Sequence, residues 1–147
     1  HRSILARADS VSLRRRLSEE VKGREWYRPV APVVLPEIAR LAFGSEVVAS
    51  RLAPYMLGAW RVHTTWADRF AGVVHADGTL RAQVVRDDAF LEALLRELWG
   101  RHGIAALINT SFNGPGEPIV HTRQDALTCA RDLCLDGVVI DGSLHRP

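Results

Sequence analysis

Residues Leu107–Val120 read LINTSFNGPGEPIV, and this stretch decides the fold of the chain. Its apolar start predicts a buried strand, and the small polar residues and glycines that follow predict a loop. Open α/β sheets bind ligands at such strand-to-loop junctions. Asn109, Ser111 and Asn113 alternate, so an extended backbone places their side chains on one face. These amides and this hydroxyl suit a phosphate or nucleotide, and a purely structural turn is the alternative interpretation.

A second unusual stretch, which we call the basic segment, comprises residues 22–32 and reads KGREWYRPVAP. Lys22 is the only lysine among 19 lysines and arginines. The lysine ammonium is a compact charge on a flexible side chain, whereas the arginine guanidinium is planar and can bind two oxygens at once. The two groups therefore suit different oxygens of a polyphosphate. We expect phosphate contacts from Lys22, Arg24 and Arg28, and the alternative is a solvated basic turn after a helix. Of Trp26 and Tyr27, we expect at most one to face a nucleotide base and the other to pack in the core.

The loop after the strand, residues 112–118, adds two candidates, and we call it the strand-end loop. Gly116, like Gly114, permits a positive φ and a close approach of the backbone to a ligand. Glu117 lies in the same loop, and we expect its carboxylate to hold an arginine of the basic segment in a structural salt bridge.

A third polar stretch runs from His75 to Gln83. For His75 and Asp77 the sequence leaves two interpretations open: they assist proton transfer or Mg²⁺ binding, or, as the residue types favour, they are a strand end followed by a turn-forming aspartate. Arg81 shares one face of a predicted strand with Gln83. If this face points inward the pair binds substrate, and if it points outward it is an ordinary solvent face.

Periodicity, capping residues and turn residues together predict an α/β domain. The predicted helices cover 10–22, 36–42, 88–103 and 122–135, and the predicted strands cover 26–35, 54–63, 72–75, 80–85, 104–108 and 137–141. Prolines confine the strand over 26–35 to an edge or an irregular position. A hairpin at Asp77-Gly78 indicates a mixed sheet.

Composition restricts the class of protein. The chain has 147 residues, of which 47% are hydrophobic and 24% charged, so a single folded domain is expected. Its formal charge of +2 forms no polybasic stripe, and no run is long and apolar enough for a membrane span, so we expect neither a nucleic-acid nor a membrane partner. Cys129 and Cys134 are not spaced as a metal-binding pair, and no histidine pair has ligand spacing, so we expect no protein-bound metal.

Five motifs in one order resemble the C-terminal domain of the O-carbamoyltransferase family, which includes nodulation-factor and antibiotic carbamoyltransferases. They are Arg2-Ser3-Ile4-Leu5-Ala6, Lys22-Gly23-Arg24-Glu25 with Arg28-Pro29 and Ala31-Pro32, Ala53-Pro54-Tyr55-Met56-Leu57, His75–Val85, and Asn109–Asn113 leading to Gly116–Val120. The sequence departs from the family pattern at Gly114-Pro115, where many members carry an apolar and a basic residue. This departure removes one cation that could face a phosphate.

The resemblance implies a YrdC-like fold, which is a twisted open mixed sheet flanked by helices, as a single domain over residues 1–147. It implies that the domain binds ATP, with Mg²⁺ on the nucleotide, and carbamoyl phosphate, and forms carbamoyl adenylate. The implied catalytic cations are Lys22, Arg24, Arg28 and Arg81. The residues implied to bind ATP and carbamoyl phosphate are Asn109, Ser111, Asn113, Gly116, Glu117, His75 and Asp77.

Because the chain begins inside a family-like motif, we expect it to be a fragment of a longer protein. The resemblance implies a missing actin-like N-terminal domain that passes the carbamoyl group to a hydroxyl of a natural product or sugar. We expect a cytoplasmic protein, and the sequence leaves oligomerisation open. Two alternatives are a YrdC-type threonylcarbamoyl-adenylate synthase for tRNA modification and a non-catalytic interaction module that retains the fold.

Overall fold

A four-stranded mixed sheet forms the centre of the computed structural model, which describes residues 1–147. Its strand order is β1 (Ser3–Arg7), β6 (Ala106–Ser111), β2 (Pro32–Val34) and β5 (Gln83–Val84). Strand β6 is antiparallel to both of its neighbours, whereas β2 and β5 are parallel. The prediction of a single α/β domain with a mixed sheet is therefore confirmed.

The remaining elements are five α-helices, a π-helix (Arg16–Val21), two 3₁₀ helices (Ala53–Tyr55 and Thr64–Phe70) and two small ribbons. The helices are α1 (Val11–Arg15), α2 (Pro36–Phe43), α3 (Ser45–Ala49), α4 (Ala89–His102) and α5 (Arg123–Asp132). One ribbon pairs β3 (Trp60–Arg61) with β4 (Thr79–Leu80), and the other pairs β7 (Val138–Ile140) with β8 (Ser143–His145). None of the helices combines the length and the apolar character that crossing a lipid bilayer requires.

Of the strand predicted over 26–35, only β2 (Pro32–Val34) forms, and it lies in the interior of the sheet, so both the predicted bounds and the edge position are wrong. Pro32 is its first residue, and a proline is tolerated at this position. Val33 and Val34 are fully buried, as expected for a central strand covered on both faces. Ile108 of β6 is also fully buried, and the three side chains belong to one hydrophobic core.

The first helix begins and ends where the sequence predicts, but its second half has a different geometry. The Ser10 hydroxyl accepts a hydrogen bond from the Leu13 backbone N–H and caps α1. A π-helix over Arg16–Val21 continues α1, and Gly23, with φ +57°, ends it. The wider π turn is a frequent feature of functional sites, and here it leads directly into the basic segment.

The region over residues 54–85 departs most from the expected strands. Only Trp60 and Arg61 of the stretch 54–63 are extended, because residues 53–55 form a 3₁₀ turn and Met56 has a left-handed φ of 58°. Residues 72 and 73 form a turn, and residues 74 and 75 belong to no regular element, so the strand predicted over 72–75 is absent. Strand β4 therefore pairs with β3, and the turn at Asp77-Gly78 leads into it rather than forming the expected hairpin.

The C-terminal third follows the predicted order of helix, strand, helix and strand, with one addition. Asp88 caps α4, and Gly103 ends it with φ +63°. Thr122 and Asp125 form the predicted capping box of α5. Strand β8, which the sequence analysis did not predict, follows β7 through a two-residue turn at Asp141-Gly142, where both residues have positive φ.

Candidate anion-binding site

The basic segment and the carboxyl end of β6 meet at a polar cavity of about 290 Å³. Its lining contains no hydrophobic residue. Half of the lining comes from the basic segment and half from β6 and the strand-end loop: Lys22, Gly23, Arg24, Glu25, Arg28, Ser111, Asn113, Gly114, Pro115 and Gly116. A larger groove of about 760 Å³ runs between β1 and β7, and it contains none of the predicted site residues.

Lys22 lies beneath this cavity, with only 7% of its surface exposed. Its ammonium donates to the Ser111 carbonyl at 2.8 Å, the Asn113 carbonyl at 2.8 Å and Asn113 Oδ1 at 2.5 Å. An ammonium has three N–H donors, so these contacts use all of them. Burial, with a smaller effect of the Arg24 charge, lowers the pKa of Lys22. In this structure Lys22 is therefore a buried support of the strand-end loop.

The arginines supply the accessible positive charge. Arg24 is half-buried and donates to Thr110 Oγ1 at 3.3 Å. Burial lowers the pKa of the Arg24 guanidinium, and the charges of Arg28 and Arg81 lower it further. Arg28 is exposed and has a loose ion pair with Glu25 at 3.6 Å. Arg24 and Arg28 thus line the cavity, Arg81 lies outside its lining but within electrostatic reach of Arg24, and Glu25 is the one carboxylate paired with them, an arrangement that favours a bound anion.

The strand-end loop is shaped by a tight turn over residues 114–117. The Glu117 N–H donates to the Gly114 carbonyl at 3.3 Å, with Pro115 and Gly116 at the two central positions. Gly116 has φ +71°, the value that a type II turn requires at its third residue. The Glu117 carboxylate accepts a hydrogen bond from the Gly114 N–H at 3.1 Å and pairs with no arginine. The expected salt bridge from Glu117 is therefore wrong, and this side chain closes its own loop.

Two further contacts order the loop from within. The Ser111 hydroxyl donates to Asn113 Oδ1 at 2.7 Å, and the Asn113 amide donates to the Glu117 carbonyl at 2.6 Å. Asn109 stands apart from this network and donates to Gln83 Oε1 at 2.8 Å. The three alternating side chains of the sequence analysis therefore divide into two groups, one at the cavity and one on the sheet.

His75 and Asp77 lie at the turn before β4. Asp77 Oδ1 accepts from the Thr79 N–H at 2.9 Å and from the Thr79 hydroxyl at 2.7 Å, which is the turn-forming role that the sequence left as an alternative. His75 Nδ1 lies 3.3 Å from the same hydroxyl oxygen, and its Nε2 is buried without a partner. Arg81 is close enough to lower the pKa of His75, so this turn borders the arginine group.

The neutral state of His75 gives the protein a specific pH dependence. Burial lowers the folded-state pKa of His75 below its usual 6.5, so the unfolded chain binds the proton more tightly. The stabilising contribution is therefore complete above pH 6.5 and is lost as the pH falls through the folded-state pKa. We expect His75→Gln to reduce the loss of unfolding free energy between pH 7.5 and 5, measured by urea denaturation. An unchanged pH slope, with His121→Gln as the control, would contradict this assignment.

The two aromatic residues of the basic segment are both on the surface. Trp26 is 76% exposed and Tyr27 is 65% exposed, and their rings contact each other edge to face at 5.8 Å. The expectation that one of them packs in the core is wrong. Pro29 and the turn that links the Arg28 N–H to the Glu25 carbonyl hold this stretch outside the sheet, so strand alternation does not apply to it.

Sequence reasoning missed Gly23, which lines the cavity, and Thr110, which lies outside the lining but contacts a residue of it. Thr110 contacts Arg24, although alternation assigns it to the face opposite Ser111. Gly23 was interpreted only as a helix end, but it also faces the Pro115 ring, which a Cβ at Gly23 would meet at 3.5 Å. No signal in a single sequence identifies Thr110, whereas the left-handed glycine directly after Lys22 indicated a close approach.

Comparison with known proteins assigns the family. The family model for the carbamoyltransferase C-terminus matches residues 1–146. The nodulation protein NolNO of Sinorhizobium fredii is 38% identical over 150 residues, which cover 99% of this chain and 22% of that protein. The 3′-hydroxymethylcephem-O-carbamoyltransferase of Amycolatopsis lactamdurans is 33% identical over 148 residues, which cover 99% of this chain and 27% of that protein. The chain belongs to the carbamoyltransferase C-terminal family, and it spans about a quarter of the length of these relatives.

Proposed function

We propose that this domain binds ATP and carbamoyl phosphate as part of an O-carbamoyltransferase and forms carbamoyl adenylate for transfer to a hydroxyl acceptor. The observation that carries the proposal is the 290 Å³ cavity in which Arg24 and Arg28 face the strand-end loop. A cavity with cations and amides but no hydrophobic lining suits a small, highly charged ligand better than an apolar one. Membership of the carbamoyltransferase C-terminal family supports the carbamoyl part of the assignment.

The reaction joins two anions, which explains the need for positive charge. Carbamoyl phosphate reacts with water to give carbamate and phosphate. A carbamate oxygen then attacks the α-phosphorus of ATP and forms a new P–O bond, while the bond to the bridging oxygen of the β-phosphate breaks and pyrophosphate leaves. Such a transfer depends on positioning and charge stabilisation rather than on a protein nucleophile. Arg24, Arg28 and Arg81 are the residues that we assign to this task.

Lys22, Ser111 and Asn113 have a different part in the proposal. Their mutual contacts fix the strand-end loop, so that the Gly116 N–H, which donates to no protein group, can turn toward a phosphate oxygen. Backbone N–H groups next to a left-handed glycine commonly bind phosphate in this manner. Mg²⁺ bound with the nucleotide would neutralise phosphate charge. The phosphates would supply oxygen ligands to this ion.

The test is exchange of labelled pyrophosphate into ATP by the full-length protein. We expect exchange to require carbamoyl phosphate and to fall roughly tenfold in Ser111→Ala, because one hydrogen bond that orders the loop is lost. Ser143→Ala, at an exposed position of β8, is the matched control and should retain the full rate.

Three other outcomes would each contradict the proposal. Exchange that requires threonine and bicarbonate would favour a threonylcarbamoyl-adenylate synthase. Failure to bind ATP at millimolar concentration in calorimetry would favour a non-catalytic module. A normal exchange rate in Ser111→Ala would remove the strand-end loop from the site.

A further inference from the structure

A pair of side-chain amides lies on the sheet next to the anion-binding cavity. Asn109 of β6 donates to Gln83 Oε1 of β5 at 2.8 Å, and the two side chains meet across β2. Both residues are half-buried, yet neither has a buried polar atom that lacks a partner. The atoms that the pair does not use internally, which are Gln83 Nε2 and Asn109 Oδ1, are therefore accessible from outside.

The unused atoms form a donor beside an acceptor. Gln83 Nε2 carries two N–H donors, and Asn109 Oδ1 has free lone pairs. If both amides were rotated by 180°, the roles would exchange, but one donor and one acceptor would still face outward. The group that matches such a pair presents a carbonyl oxygen next to an N–H. The carbamoyl group, –C(=O)NH₂, has both, whereas an acetyl group has a methyl in place of the N–H donor.

The pair is placed so that one ligand can reach both the amides and the cavity. Strand register puts Gln83 opposite Val33 and Val33 opposite Leu107, so Gln83 lies on the same sheet face as Asn109 and Ser111. Ser111 lines the cavity and is two residues from Asn109, about 7 Å along the strand. Arg81, two residues before Gln83, is within electrostatic reach of Arg24.

We propose that Gln83 and Asn109 form the subsite that recognises the carbamoyl group, while the cavity beside them holds the phosphate. This inference rests on the proposed function, because it assigns specificity within the same site. It makes the amide pair a discriminator between carbamoyl phosphate and other acyl phosphates of equal charge. A site built from hydrogen-bonding groups disfavours an analogue that leaves those groups without a partner.

The sharpest variant is Asn109→Ser in the full-length protein. Carbamoyl phosphate and acetyl phosphate share the carbonyl oxygen that Gln83 Nε2 would bind, and only carbamoyl phosphate has the N–H that Asn109 Oδ1 would accept. The shorter serine side chain removes this acceptor without changing the net charge of the site. The experiment measures the affinities for carbamoyl phosphate and acetyl phosphate by calorimetry, and the readout is their ratio. We expect the wild-type protein to prefer carbamoyl phosphate by roughly tenfold and Asn109→Ser to lose the preference.

The binding measurements distinguish failure of the amide subsite from failure of the proposed function. Equal affinity for the two acyl phosphates in the wild-type protein would overturn the amide subsite while leaving the phosphate cavity intact. Absence of binding of either acyl phosphate and of ATP would overturn the proposed function and the subsite with it. Gln124→Ser, which removes an amide at an exposed position of helix α5, is the matched control and should keep the wild-type ratio. If Asn109→Ser fails to fold, Asn109→Thr gives the second test, and an unchanged ratio there also contradicts the inference.

Discussion

Replacing Lys22 with methionine should destabilise the protein by about 3 kcal/mol, the largest effect we expect from one substitution in the site. Methionine keeps most of the apolar stem but removes the ammonium, so the carbonyls of Ser111 and Asn113 and Asn113 Oδ1 lose their donor. These oxygens are partly buried and cannot all regain water. Urea denaturation of the wild-type and variant proteins measures the loss, and pyrophosphate exchange should fall with it because the strand-end loop is no longer fixed.

Arg101→Met is the matched control for this prediction. Arg101 is an exposed cation of α4 whose only ion pair, with Glu97, lies on the surface. Its replacement should change the free energy of unfolding by less than about 1 kcal/mol. If Lys22→Met were no more destabilising than Arg101→Met, the three hydrogen bonds of the ammonium would not support the loop.

Arg24→Gln should show the opposite combination, a large loss of binding with no loss of stability. Arg24 lies in the cavity, where burial lowers its pKa most and repulsion by the charges of Arg28 and Arg81 lowers it further. Removing its charge relieves that repulsion, so the free energy of unfolding should stay equal or rise. A charge-assisted hydrogen bond to phosphate contributes about 1.5–3 kcal/mol, so the affinity for ATP should fall roughly 10- to 150-fold.

Calorimetric titration of ATP into the full-length protein measures this affinity. Arg40→Gln provides a control of equal net charge, because Arg40 is exposed on α2 and does not line the cavity. It should bind ATP as the wild-type protein does at moderate ionic strength, where distant surface charges are screened. An equal loss in the two variants would mean that net charge alone, and not the cavity, determines binding.

Features that depend on a few neighbouring residues were predictable from the sequence. Ser10, Asp88 and Thr122 cap the helices that follow them, and Gly103 ends α4 with the left-handed conformation that glycine adopts readily. Each of these signals acts within one helical turn and needs no distant partner. The hairpin at Asp141-Gly142 carries a signal of the same kind and could have been predicted, since Asp-Gly directly after an apolar strand favours a two-residue turn.

Features that depend on distant partners were not predictable. The interior position of β2 results from pairing with β5 and β6, which are about 50 and 75 residues away along the chain. In the candidate site, residue types and spacing indicated that Lys22, Arg24, Ser111 and Asn113 belong together. They did not indicate that Lys22 turns its ammonium toward protein oxygens. That choice follows from its burial beneath the loop, where an unpaired charge would be costly.

The solitary lysine of this chain gives the experimenter a chemical handle. An amine-acylating reagent finds one ε-amino group in all 147 residues, and that group is enclosed by oxygen atoms under the loop. The rate at which Lys22 is acylated would therefore report how often the loop lifts away from it. A ligand that clamps the loop should slow the modification, so mass spectrometry of one peptide could follow occupancy without any radiolabel.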